Sequence, residues 1–119
     1  MSLFAVYVVV VAVTIAANAY ATFADLTQAG FVMATMEEVA VPRSWLPPLA
    51  VLKAAGAAGL LIGLLGVRPL GIAAAIGLVL FFACALATHV RHRVFHNIAF
   101  PGAFFALAAA SATLAIATR

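Results

Sequence analysis

Lys53 lies in the stretch Leu46 to Gly66, which holds no other charged residue. An ammonium group inside an apolar segment costs about 2.5–3.5 kcal/mol on membrane-insertion scales. Two arrangements relieve that cost. Its long stem can snorkel to the nearby interface, or an opposite charge within about 4–6 Å can pair with it. The sequence offers only Asp25, Glu37 and Glu38 as carboxylates. A pair with one of them would lock a segment in place or hold a polar headgroup. His89, His92 and His96 recur at i, i+3 and i+7, the spacing of one helical face, but the chain must reverse between about Arg91 and Asn97. Metal sites also usually recruit a carboxylate or thiolate, so interfacial hydrogen bonding is expected and no metal site is assigned. His89, nearest the apolar layer, is the candidate internal donor or proton carrier. Asn18 and Tyr20 are candidates for bonding between helices or for facing a cavity with Asp25. Cys84 is expected to be a small packed residue, inert in low dielectric.

The solvent around these residues follows from composition. Of 119 residues, 68% are hydrophobic and 8% charged, against roughly a quarter charged in soluble domains. Mean hydropathy is +1.27. A bilayer protein fits, and a secreted or disordered one does not. The net charge of +3 comes from basic residues spread along the chain, which form no stripe for nucleic acid. One cysteine excludes an intramolecular disulfide. No GxSxG, HExxH, phosphate-loop or paired-cysteine motif occurs.

A membrane helix needs about 20 mostly apolar residues, and four runs qualify: about 3–24, 48–66, 70–89 and 98–118. The second is expected to start after the Pro47-Pro48 pair, which suits a first helical turn, with Arg68 and Pro69 in the turn before the third. The N-terminal run has no preceding positive charge and is longer than a signal core, so it reads as a retained helix. Short turns force antiparallel neighbours. The expected fold is all-α, a single transmembrane four-helix bundle running up-down-up-down. In the connection between the first and second spans, Phe31, Met33, Met36 and Val39 fall near one helical face, which predicts a short interfacial helix over 31–39, with Trp45 as an interfacial anchor.

This topology collects Asp25, Glu37, Glu38, Arg43, Arg91, Arg93 and all three histidines at one face, with Lys53 slightly inside it. Arg68 and Arg119 remain on the other. Lys and Arg counts slightly favour the polar face in the cytoplasm. Rows of small residues, Ala55-Gly59-Gly63 with Gly56 beside them, Gly71-Ala75, Ala73-Gly77 and Gly102-Ala106-Ala110, predict close helix contacts and are compatible with a homo-oligomer.

The segment PRSWLPPLAVLKAAGAAGLLIGLLG, the Pro-Leu-Gly that follows, an Ala-rich span closing in ALATHVRHR, and FPGAFFALA together resemble the DoxX-like family of small bacterial four-span membrane proteins. Lys53, His89 and Arg91 match that family's recurrent polar positions. The resemblance implies a multi-pass protein of the bacterial inner membrane. DoxX itself is a membrane subunit of a thiosulfate:quinone oxidoreductase, so it also implies a quinone-adjacent or anchoring role beside a redox partner protein. No cofactor is assigned.

The leading expectation is a bundle that binds a lipophilic ligand, quinone or membrane lipid, or anchors a redox complex, with Asn18, Tyr20, Lys53, His89 and Arg91 as ligand-binding residues. The alternative is a membrane enzyme performing isomerisation or epoxide opening, with Asp25, Glu37 or Glu38 as acid or base and Lys53 and His89 supporting developing charge. A transporter is disfavoured because no polar track crosses the apolar layer.

Overall fold

A computed structural model describes residues 1–119 as five α-helices and one 3₁₀ turn, with no strand. Ser2 accepts a hydrogen bond from the Ala5 amide at 3.1 Å and starts α1 (Leu3–Leu26). The short α2 (Gly30–Glu38) follows, then the turn Arg43–Trp45, α3 (Leu46–Leu64), α4 (Arg68–Arg91) and α5 (Ala99–Ala117). The four long helices are long and apolar enough to cross a membrane. At about 1.5 Å per residue, the 24 residues of α1 and of α4 exceed the roughly 30 Å hydrocarbon layer.

Pro47-Pro48 sits in the first turn of α3, as it suits, whereas Arg68 and Pro69 open α4 and do not belong to the turn before it. First-turn amides have no partner in the helix, so proline loses nothing there. The reversal itself is Leu65–Val67, with Gly66 at φ +131°. After α1, α2 and α4 the residue that turns left-handed is not glycine: Gln28, Ala40 and Arg93 have φ of 52°, 57° and 55°. Each is followed by an amide reaching back five residues, Ala29 to Ala24, Val41 to Met36 and Val94 to His89. This is the Schellman closure usually made with glycine.

The long helices pack in the cyclic order α1, α3, α4, α5 and back to α1. Tyr7, Val11, Leu60, Leu78, Phe82 and Ala108 meet along the axis, while Phe4, Val13, Leu61 and Leu80 point outward, as in a protein solvated by lipid. Where α3 crosses α4 the backbones nearly touch. A Cβ on Gly63 would lie 2.5 Å from Gly71 Cα, one on Gly59 2.6 Å from Ala74 Cβ, and one on Gly56 2.5 Å from Leu78. The contact row is therefore Gly56-Gly59-Gly63, and Ala55 is exposed. Of the other expected rows, Gly71-Ala75 is buried, whereas Ala73 and Gly77 face outward and Gly102 meets nothing closer than Leu86 at 4.0 Å. Helix rotation, set by the bulky residues that must reach the axis, decides which small row becomes the contact.

At the end opposite the histidines, Arg68 donates to the Ala115 carbonyl at 2.9 Å and to the Thr118 hydroxyl at 2.7 Å. Its guanidinium also stacks over the buried Tyr7 ring at 4.3 Å. This cation joins α1, α4 and α5, and the α5 carbonyl it meets lies at a helix C-terminus, where positive charge is favoured.

Candidate functional site

The last turn of α1 and the second turn of α3 bring Asp25 and Lys53 together. Lys53 Nζ lies 2.8 Å from Asp25 Oδ2, with the carboxylate side chain 3% exposed and the lysine 15%. The ammonium also sits 5.6 Å from the centroid of the Phe81 ring on α4, within reach of a cation–π attraction. Lys53 is thus paired inside the bundle and does not snorkel to the interface. Asn18, two turns deeper on the same face of α1, is fully buried. Its amide donates to the Thr14 carbonyl at 3.0 Å, and its Oδ1 has no partner. Below it, Thr14 and Ser111 join α1 to α5 through their hydroxyls at 3.0 Å.

His89 follows Leu78 and Phe82 along the inward face of α4 and is 6% exposed. Its Nδ1 lies 2.8 Å from the Ala85 carbonyl, which makes Nδ1 the protonated nitrogen. Nε2 is then a buried acceptor with no partner. Because α4 ends at Arg91, His92 and His96 leave the helix and the three imidazoles share no face. His92 is exposed, and His96 pairs with Glu38 at 2.6 Å on the surface.

That surface pair, with Asn97 Nδ2 donating to the Thr35 hydroxyl at 3.0 Å, fastens α2 to the link between α4 and α5. Met36 and Val39 on the α2 side and Val94 in the link are buried. The short helix at 30–38 is thus docked on protein through part of its apolar face, and Phe31 points outward. Trp45 is exposed at the start of α3, in the position of an interfacial anchor.

Several expected residues are not brought to this centre. Tyr20 is 61% exposed on the outer side of α1, because it lies two residues beyond the inward Asn18. Glu37, Glu38 and Arg91 are exposed. Cys84 faces outward, so the thiol meets the lipid side of α4 and is not packed in the core.

A hollow of about 150 Å³ opens beside the ion pair, lined by Asp25, Leu26, Gln28, Arg43, Ser44, Leu46 and Pro47. Gln28 holds its left-handed backbone here, and its side-chain oxygen accepts a hydrogen bond from Arg43. On the other side of Arg43 a wider, open hollow of about 370 Å³ is formed with Met33, Met36, Glu37 and Val41. Gln28 and Ser44 were not singled out from the sequence. The signal that could have found them is a cation, Arg43, next to Trp45 in the interfacial connection, because such a cation has polar neighbours available on both sides.

Compared with known protein families, the chain matches the model of the DoxX-like family over residues 9–111, from within α1 to within α5, and it belongs to that family. No curated protein and no solved structure matches it.

Proposed function

We propose that this DoxX-like membrane protein binds a lipophilic molecule, a lipid or a quinone, whose polar group sits at the Asp25–Arg43 end of the bundle. The observation that carries the reading is the pair of hollows sharing Arg43: one with mostly polar lining residues and adjoining the buried Lys53–Asp25 pair, the other lined by Met33, Met36 and Val41 with Glu37 among them. An amphiphile needs both surfaces side by side. Methionine suits the apolar part, since its unbranched thioether adapts to irregular shapes. Lys53 contributes by balancing Asp25 and fixing α1 against α3, so that the floor of the polar hollow stays in place. Mass spectrometry of the protein released from mild detergent tests this. A lipid or quinone retained by the wild type and lost when Met33→Asp, at a partly exposed position, adds a carboxylate beside Glu37 in the wider hollow is expected. A ligand-free wild type would sink the reading, and a retained redox protein in its place would favour an anchoring role.

A second reading, acid-base catalysis on a small lipophilic substrate, is supported by one feature. His89 Nε2 is a buried acceptor without a partner, as a general base awaiting a substrate proton would be. Asp25 or an exposed glutamate would then complete the chemistry. Isomerisation or epoxide opening that persists in His89→Gln would remove this reading.

A further inference from the structure

We infer that the molecule held at this end is an anionic phospholipid, with its phosphate in the hollow between Gln28, Arg43 and Ser44; the inference rests on the lipophilic-ligand reading above. Charge decides the class of head. Asp25 lines the hollow, but its carboxylate is already balanced by Lys53 at 2.8 Å. Arg43 lines both hollows and has only the neutral Gln28 side chain as a hydrogen-bond partner. Glu37 shares the wider hollow without forming an ion pair with it. The Arg43 guanidinium is therefore without an ion-pair partner and has donors to spare.

Geometry narrows the class further. The donors available are the Arg43 guanidinium, the Gln28 amide and the Ser44 hydroxyl, which come from the end of α1 and from the turn before α3. Donors arriving from separate segments suit the tetrahedral oxygens of a phosphate, and arginine is the residue that meets phosphate in a bidentate fashion. A neutral quinone would leave the guanidinium without a counter-charge. The hollow of about 150 Å³ is large enough for a phosphate. Leu26 and Pro47 at the rim, and Met33, Met36 and Val41 across Arg43, are apolar surface for the glycerol and acyl portions. Exposed Trp45 places this level at the headgroup layer.

The test is lipid retention by the full-length protein in mild detergent, read by native mass spectrometry after incubation with phosphatidylglycerol, phosphatidylcholine or decylubiquinone. The wild type is expected to retain phosphatidylglycerol about tenfold over phosphatidylcholine, whose phosphate is the same but whose choline cation would lie beside the Arg43 guanidinium, and both over decylubiquinone, which offers no charge-assisted bond. Arg43→Gln should abolish that preference and Arg43→Lys should keep part of it. The double variant Arg91→Gln/Arg93→Gln should leave it at the wild-type level, because those exposed cations lie outside the hollow. A preference that survives Arg43→Gln, or that vanishes with Arg91 and Arg93, overturns the inference. Retention of decylubiquinone alone overturns it while leaving the lipophilic-ligand reading standing. Retention of none of the three overturns both.

Discussion

At the scale of single residues, the Lys53–Asp25 pair is the feature with the largest energetic consequence. A buried pair adds little net stability when made, but removing one partner strands the other charge in an apolar setting. Lys53→Ala is therefore expected to lower unfolding stability in detergent by about 3 kcal/mol, whereas Lys53→Met with Asp25→Leu should recover most of the loss. If the double variant is no more stable than the single one, the pair is not the dominant contact at that position. Asn18 and His89 make a different kind of statement. Each has one polar atom satisfied by its own helix and one left buried and unpaired, and such an atom carries a desolvation penalty of about 1–3 kcal/mol. Replacing Asn18 by Leu is accordingly expected to stabilise the bundle, measured as a higher midpoint of thermal unfolding. A lower midpoint would mean that Asn18 Oδ1 has a partner in the membrane, such as a bound water.

Between α3 and α4 the spacing of the helices is set by Gly59 and Gly63. In lipid, apolar burial gives no force between helices, so close backbone approach has to supply it. Gly63→Leu and Gly59→Leu would meet Gly71 and Ala74 head-on and should each lower stability by about 1–3 kcal/mol, the range for overpacking. Gly77→Leu, where nothing lies within 4 Å, is the matched control and should not. Equal stability of all three variants would separate the glycines from the helix contact. The helix ends supply a prediction of opposite sign. Ala40 closes α2 at φ 57°, where a side chain costs about 1–2 kcal/mol relative to glycine. Ala40→Gly should therefore raise the unfolding midpoint. Gln28 has the same backbone conformation but places its side chain against Arg43, so Gln28→Gly should trade a relaxed backbone for weaker ligand retention.

The molecule as a whole is polarised along the membrane normal. At one end the guanidinium of Arg68 ties α1, α4 and α5 together, and at the other α2 lies over the link between α4 and α5. The up-down-up-down path puts α2 and that link on one face and the turn at Leu65–Val67 on the other. On a Cys84→Ala background, cysteines at exposed Ala34 and Phe95 should be labelled from the same side by a membrane-impermeant reagent, and a cysteine at Val67 from the opposite side. Labelling of residues 34 and 95 from different sides would overturn the topology, and the polar end with it.

The number of spans, their antiparallel order and the gathering of polar residues at one face were determined by the sequence alone, because each depends on local hydropathy and on connection length. Lys53 could be identified for the same reason: an isolated charge among apolar residues is conspicuous whatever it touches. Which carboxylate it pairs with, and whether it pairs at all, was decided only by the packing of α1 against α3. The same holds for Tyr20 and Cys84, since the rotation of a helix that is apolar all round leaves no amphipathic stripe to read. The helix ends after α1 and α2 were indistinct because Gln28 and Ala40 occupy positions where glycine usually marks the stop. The hollow at Arg43 was hidden because it is built from residues of two segments that only the folded chain brings together. Hydropathy is a property of sequence windows and survives without the fold, whereas rotation, partner choice and concavity are relations between windows and exist only once the helices have packed.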